Sequence, residues 1–310
     1  MHDLIVLGGG PAGLTATMYA IQKRLDVRLI TRNLGGKTNY HLQLPFIERH
    51  MTINGDEIIN RYIREIEYLS FVYMLDQVNS IEKIHNGYQL RLDSGESIET
   101  RALIIAVGSN PTFLNVPGEK EFMMRGLSYS AISYAQLFIH RDVAVVGCGS
   151  LALRSVFELA RFARKVTLIA EDGCDVISGP LAQPLLAQRH VEFLLDHRVK
   201  EIKGDSYARS IVVTGPEGDH DIDVDGIFIE LNLEPRSKFV SHLVDLDESG
   251  FIKVNERNES SAAGIFAAGD ITGAYCEQVL IAIGEGAKAA LSAYDFLLKL
   301  DHKLAAPSDF

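Results

Sequence analysis

The chain of 310 residues holds three cysteines, Cys148, Cys174 and Cys276, and two glycine-rich loops of the kind that cradle phosphates. A cysteine pair can cycle between disulfide and dithiol, moving two electrons and two protons. A glycine loop opening a helix can hold the pyrophosphate of a dinucleotide at the positive end of that helix. Cys148 lies inside the second loop, and Cys174 lies just beyond the strand that follows it. In a nucleotide-binding βαβ unit both positions face one crevice, and a bond between them needs Cα atoms within about 7 Å. Cys276 precedes a helix near the C-terminus. The bland alternative for all three is that of small buried apolar residues with no redox role.

The elements that would position these groups are legible. Asp3 to Leu7 is a short apolar run, followed by Gly8-Gly9-Gly10-Pro11-Ala12-Gly13 and then by LTATMYAIQKR with apolar residues at helical spacing. This strand–loop–helix order predicts a dinucleotide site: Gly8 permits the tight turn, Gly10 lets the backbone approach a pyrophosphate, and Gly13 lets helix and strand pack closely. A second strand is expected at Asp26 to Thr31. Thr31 and Arg32 stand where an acid would hold a ribose hydroxyl, which weakens an NAD reading and leaves FAD open.

The pattern recurs. Asp142 to Val146 predicts a strand, Gly147-Cys148-Gly149-Ser150-Leu151-Ala152 the loop, LRSVFELARFA a helix, and Lys165 to Ala170 the next strand. Glu171 follows Gly149 by roughly 20 residues, the spacing of a ribose-binding acid. The alternative is a vestigial loop that binds nothing.

Between the loops, Tyr88 to Gly108 reads as strands around the turn Asp93-Ser94-Gly95, ending in the buried run Ile104 to Gly108. Gly264 to Asp270 reads as another such strand, meeting a helix that starts near Glu277 and is rich in small residues. The expected organisation is one nucleotide domain at residues 1–116 and 245–310, with a second inserted at 117–244. A net charge of −11 argues against nucleic acid and anionic membranes as partners. No apolar run approaches the length of a membrane span, and the N-terminus does not read as a signal peptide, so a cytoplasmic protein is expected. His41, His50 and His85 lack metal-ligand spacing, and no metal is expected. Tyr40 and Tyr129 have the rings to stack on a flavin, but packing is the plainer role for each.

The order GGGPAG, Gly35-Gly36-Lys37, IIAVGSNPTFLNVPGEKEF, DVAVVGCGSLAL, VDGIFIELNLEP and GIFAAGDIT resembles the low-molecular-weight thioredoxin reductase family over nearly the whole length. The resemblance implies an α/β fold of two Rossmann-like, three-layer ββα domains, one for FAD and one for NADPH, in a homodimer. It implies an FAD site built from Gly8, Gly10, Pro11, Ala12, Gly13, Arg32, Gly36, Lys37, Ala106, Gly108, Gly269, Asp270, Gln278 and Val279, with Gln278 opening the helix beneath the flavin. The second nucleotide site would be Gly147, Gly149, Ser150, Leu151 and Glu171.

The chain departs from that family at two places. Ser130 and Ser133 stand where the family has the cysteines of Cys-x-x-Cys, and Tyr134 and Ala135 replace the following aspartate and glycine. Serines cannot form a dithiol–disulfide couple. After the strand ending at Ala170, where the family carries arginines that clamp a 2′-phosphate, this chain has Glu171-Asp172-Gly173-Cys174-Asp175. Acids there repel NADPH. NAD and FAD both carry an ADP moiety with a free 2′-hydroxyl, so both remain open.

Three functions follow. The first is a flavoprotein that exchanges electrons with a disulfide, a thiol or a small redox protein. It has a second FAD in the former NADPH site, and in this it is similar to the diflavin-linked disulfide oxidoreductases. Its catalytic cysteines are sought among Cys148, Cys174 and Cys276. The second is an NADH-dependent flavin reductase that passes electrons to a ferredoxin, a quinone or a free flavin. The third is a flavin-binding sensor or scaffold.

Overall fold

The computed structural model describes residues 1–47, 55–171, 173–174 and 180–305. The chain divides into two compact units, Met1–Asn39 with Asn54–Asn110 and Glu234–Phe310, and Tyr40–Ile53 with Pro111–Leu233.

The first unit begins with β1 (His2–Leu7), α1 (Pro11–Gln22) and β2 (Val27–Thr31). Pro11 at the first helical position presets φ and lacks only an N–H that the helix would not use. Next come α2 (Asp56–Tyr68), β3 (Tyr73–Leu75), β4 (Val78–Ile84), β5 (Gly87–Leu92) and β6 (Ser97–Ile105). The sheet order is β3-β2-β1-β6-β5-β4. β1 pairs parallel to β2 and to β6, while β5 pairs antiparallel to β4 and to β6. Alternation along β1 feeds two cores: Leu4 and Val6 pack with α1 on one face, and Ile5 and Leu7 pack with Ile81, Leu90 and Ile105 on the other.

The second unit follows β7 (Ser109–Pro111). It contains α3 (Glu119–Phe122), β8 (Leu127–Ser128), α4 (Ala131–Tyr134), β9 (Asp142–Gly147), α5 (Gly149–Leu159), β10 (Lys165–Ala170), α6 (Ala182–Leu186) and β11 (Val191–Leu195). β12 (Arg198–Gly204), β13 (Ala208–Gly215), β14 (Gly218–Asp223) and β15 (Gly226–Glu230) complete it. A parallel sheet of order β11-β10-β9-β15-β8 has α5 on one face and the antiparallel β12-β13-β14 sheet on the other. This is a three-layer ββα sandwich, with Val145 and Leu168 facing the helix and Ala144, Val146 and Ile169 facing the small sheet.

After β16 (Leu233–Pro235) the chain returns to the first unit. There β17 (Ile265–Ala267) pairs parallel to β6, and α7 (Val279–Ala305) packs on α1. The small residues of α7 have a steric cause: a Cβ at Gly286 would strike the Ala12 carbonyl. The helix begins at Val279, near Glu277 as expected.

The expected domain limits at 116/117 and 244/245 are displaced: the units divide after Asn110 and after Leu233. Leu114 and Val116 pack in the second unit with Ile202 and Ile211, and Val240 and Val244 pack in the first with Ile252 and Ile271. The second unit also takes Tyr40–Ile53, an assignment the sequence reading lacked. Leu42 and Leu44 are buried beside Phe138 and Leu153, and Gln43 donates its N–H to the Met124 carbonyl at 2.8 Å.

Candidate functional site

In the first unit the glycine loop is sealed on every side but one. A Cβ on Gly8 (φ +104°) would strike the Ala106 carbonyl, one on Gly13 the Gly8 carbonyl, and one on Gly9 the Asn33 carbonyl. Thr31 Oγ accepts the Gly9 N–H at 2.9 Å and donates to the Asn33 carbonyl at 2.7 Å. Thr31 therefore braces the loop against β2, a role its place in the sequence did not reveal. At Gly10, by contrast, no heavy atom lies within 4 Å of where a Cβ would stand. Leu14 donates to the Gly10 carbonyl at 2.9 Å and closes the first turn of α1, so the N–H groups before it have no partner within the helix. This open cradle fits a pyrophosphate.

Two further turns close on the cradle. A Cβ on Gly36 would lie 3.0 Å from Gly10 Cα, and one on Gly269 would lie 3.0 Å from Ala12 Cβ. Lys37 and Asp270, one residue along each turn, are joined by an ion pair of 2.9 Å. Lys37 also pairs with Glu277, and Ser109 Oγ, 3.1 Å from Lys37 Nζ, donates to Glu277 Oε1 at 2.8 Å. Glu277 and Ser109 were not singled out from the sequence, since hydrogen-bond partners so far apart in the chain leave no local pattern. The side chain of Lys37 is 44% exposed, against 17% for Asp270 and 25% for Glu277. Burial pushes the Glu277 carboxyl up; Lys37 pulls it down, Asp270 pushes it up again, and the net direction is up. Burial pulls the Lys37 ammonium down, but Asp270 and Glu277 together hold it above its ordinary value. Gly269 donates its N–H to Glu285 at 2.7 Å. Gly108 stands at φ +70° with open space before it. Gln278 precedes α7 and accepts the Ala282 N–H at 3.0 Å. Arg32 is exposed at the end of β2.

In the second unit the corresponding crevice lies at the C-terminal ends of β9 and β10, which pair in parallel. A Cβ on Gly147 would strike the Glu230 carbonyl, and Gly149 (φ +73°) again faces open space. Ser150 is exposed and Leu151 half-buried at the start of α5. Cys148 and Cys174 form a disulfide, with Cα atoms 5.9 Å apart. It ties the glycine loop to the turn after β10, with Cys148 exposed and Cys174 half-buried. Glu171 is exposed and ion-paired with Arg198 at 3.5 Å. This places a cation beside the acid that the sequence reading took to repel a 2′-phosphate. Asp172, Asp175 and His50 lie outside the described residues.

Ser130 Oγ donates to Ser133 Oγ at 2.9 Å across the first turn of α4. Beside them Glu230, 4% exposed at the end of β15, accepts the Ala131 N–H at 2.7 Å. Cys276 is half-buried and stands outside the disulfide. Tyr129 spends its hydroxyl on Glu119 at 3.1 Å and packs edge-on against Phe113, while Tyr40 is exposed. Among the described residues no helix is long and apolar enough to cross a membrane.

Two Rossmann-like glycine loops in one chain are the framework of a dinucleotide-dependent oxidoreductase. Residues 2–286 match the family model described as pyridine nucleotide-disulphide oxidoreductase, and the chain belongs to that family. It is an FAD-type oxidoreductase with the thioredoxin-reductase fold. Thioredoxin reductase from Streptococcus pyogenes superposes with a TM-score of 0.87 at 30% identity, covering 96% of this chain and 99% of that one. Thioredoxin reductase from Giardia duodenalis superposes with a TM-score of 0.84 at 26% identity over the same shares. One subunit of the alkyl hydroperoxide reductase of Staphylococcus aureus is 29% identical over 306 residues. That alignment covers 96% of this chain but only 59% of the relative.

Proposed function

We propose that this flavoprotein is a disulfide oxidoreductase whose redox couple is Cys148–Cys174. The disulfide between the second glycine loop and the turn after β10 carries this reading. It supplies a two-electron couple in a chain whose Ser130 and Ser133 have none.

FAD would be held at the first loop by the N–H groups at the start of α1, with Asp270 as acceptor for its sugar-chain hydroxyls. Bound there, it supplies reversible two-electron chemistry. Reduction of Cys148–Cys174 takes two electrons and two protons and yields two thiols. Cys148, being exposed, is the thiol that attacks an outside disulfide, forming a mixed disulfide that Cys174 resolves. The outgoing thiolates take protons from solvent. A thiolate at Cys148 would stand at the N-terminus of α5, an 11-residue helix whose positive end favours an anion. The partner is a small redox protein or a low-molecular-weight disulfide, and the molecule works as a homodimer.

The second loop holds a further ADP-bearing cofactor, which we read as a second FAD. Glu171 suits a ribose with free hydroxyls, a feature FAD shares with NADH, whereas the Arg198 paired with it is a group that would accept a 2′-phosphate. The test is a count of FAD and of titratable thiols per chain, before and after anaerobic reduction. Two FAD per chain and two thiols gained on reduction are expected, the gain being absent in Cys148→Ser. One FAD per chain, with flavin bleaching by NADH or NADPH, would replace the second flavin by a nicotinamide nucleotide. No gain of thiols would remove the disulfide from the reaction.

A further inference from the structure

The turns after β2, β6 and β17 bring together one lysine and two carboxylates beside the first glycine loop. Such a trio cannot be neutral with every member ionised. Lys37 balances one of its two partners, and the other either keeps a proton or leaves the crevice negative. Asp270 and Glu277 are the less exposed members, and the ammonium of Lys37 stays partly in water, so its screening field does not fully compensate both. The trio stands beside the cradle that fits a pyrophosphate, since Gly36 and Gly269, the neighbours of Lys37 and Asp270, abut Gly10 and Ala12 of the cradle.

We propose that Lys37, Asp270 and Glu277 act as one proton-linked unit that sets how tightly the flavin nucleotide is held, with Glu277 as the member that changes protonation. This rests on the assignment of flavin to the first loop. With Glu277 protonated, Lys37 and Asp270 form a neutral pair and the cradle accepts the pyrophosphate without opposition. With Glu277 ionised, the trio carries one negative charge and repels it. Linkage then requires the converse: bound pyrophosphate favours the protonated form of Glu277, and departure of the nucleotide releases a fraction of a proton. Lys37 donates directly to both carboxylates, so one cation faces two acids that crowd each other. The hydrogen bonds from Lys37 and Ser109 favour the ionised form of Glu277, but burial and the Asp270 charge outweigh them and raise its carboxyl, which makes it the member that takes the proton. Glu285 of α7 also carries charge beside the Asp270 turn, where it is engaged by the Gly269 N–H and the Thr272 hydroxyl.

The sign follows. Below the Glu277 pKa the flavin is held most firmly, and as pH rises through it the hold weakens. Lys37 remains charged throughout.

The experiment follows FAD release from the diluted holoenzyme by the gain in flavin fluorescence, between about pH 5 and 9. Release from the wild type is expected to quicken with pH by roughly tenfold across the transition. Glu277→Gln, which keeps the shape and removes the charge, should hold flavin at all these values as the wild type does in acid. Lys37→Met should release it on the order of tenfold faster on the alkaline side. A wild-type profile flat in pH, or a Glu277→Gln profile with the wild-type slope, would overturn the proposal. Displacing FAD from the wild type in unbuffered solution with an indicator dye reads the linkage without a variant, and no proton released would overturn it too. A chain that purifies without flavin defeats the flavin assignment itself, whereas pH-independent release defeats only this inference.

Discussion

The two glycine loops share one scaffold and close it in opposite ways. In both, the middle residue of the loop faces the turn after the neighbouring strand. In the first unit that residue is Gly9, pressed so closely on Thr31 and Asn33 that a side chain has no room, and the contact is a hydrogen bond from its own N–H. In the second unit it is Cys148, whose side chain crosses to the turn after β10 and is bonded to Cys174. The first arrangement is a fixed cradle, and the second can be opened by two electrons. The two copies of the loop thus differ in how this one position is tied to the neighbouring turn.

The comparison breaks most sharply at the cysteines. Cys148→Ser or Cys174→Ser should lower turnover of an aromatic disulfide dye by about a thousandfold, while Cys276→Ser leaves it within about twofold. Unchanged turnover in Cys148→Ser would make the second loop a mere copy of the first. Next comes stability. The disulfide closes a loop of 26 residues, so reduction of the wild type should lower the unfolding free energy by about 3.5 kcal/mol in the chain-entropy account. Denaturant melts with and without dithiol measure this, and Cys148→Ser should no longer respond to the dithiol. A somewhat smaller effect is expected from Gly9→Ala. Its Cβ meets backbone that cannot yield, which should cost about 1–3 kcal/mol and lower the flavin content of the purified protein. Cys148→Ala removes the crosslink but, at a position that already carries a Cβ, meets no such clash with the backbone.

The smallest effect concerns the opposite ends of the two central strands. Each carries near its start an aspartate held by an arginine: Asp3 by Arg101 at 3.0 Å in the first unit, and Asp142 by Arg164 at 2.8 Å in the second. The Arg164 hydrogen bond holds the Asp142 carboxyl below its ordinary range. Its contribution is therefore present above the unfolded-state carboxylate pKa and lost as pH falls through the lower, folded value. Arg164→Ala should destabilise slightly at neutral pH and not at all at the acid extreme, and added salt should shrink the difference. An equal loss at both pH values would show that Arg164 acts through packing.

Much of this was legible in the sequence because it is local. Gly8, Gly13 and Gly147 occupy positions where any Cβ would collide with backbone, so the loops announce themselves within a few residues. The continuous apolar runs of β1 and β9 likewise follow from burial on both faces. The unit boundaries were less legible. Val116 and Val244 look like any apolar residue near a turn, and only the core each joins tells which unit owns it. Nor does anything in Leu42 and Leu44 indicate that they pack with Phe138.

The order of elements, the doubled phosphate loop and the lack of a Cys-x-x-Cys at Ser130 and Ser133 were determined by the sequence alone, since each is a matter of residue type at short spacing. The sequence reading left open whether Cys148 and Cys174 were bonded or were merely small apolar residues. Parallel pairing of β9 and β10 decided it, by bringing the two loop ends within bonding reach. Lys37, Ser109, Asp270 and Glu277 meet only because parallel strands β2, β6 and β17 end on one side of one sheet. Contacts across such separations are set by which strands lie side by side, and that is a property of the folded chain.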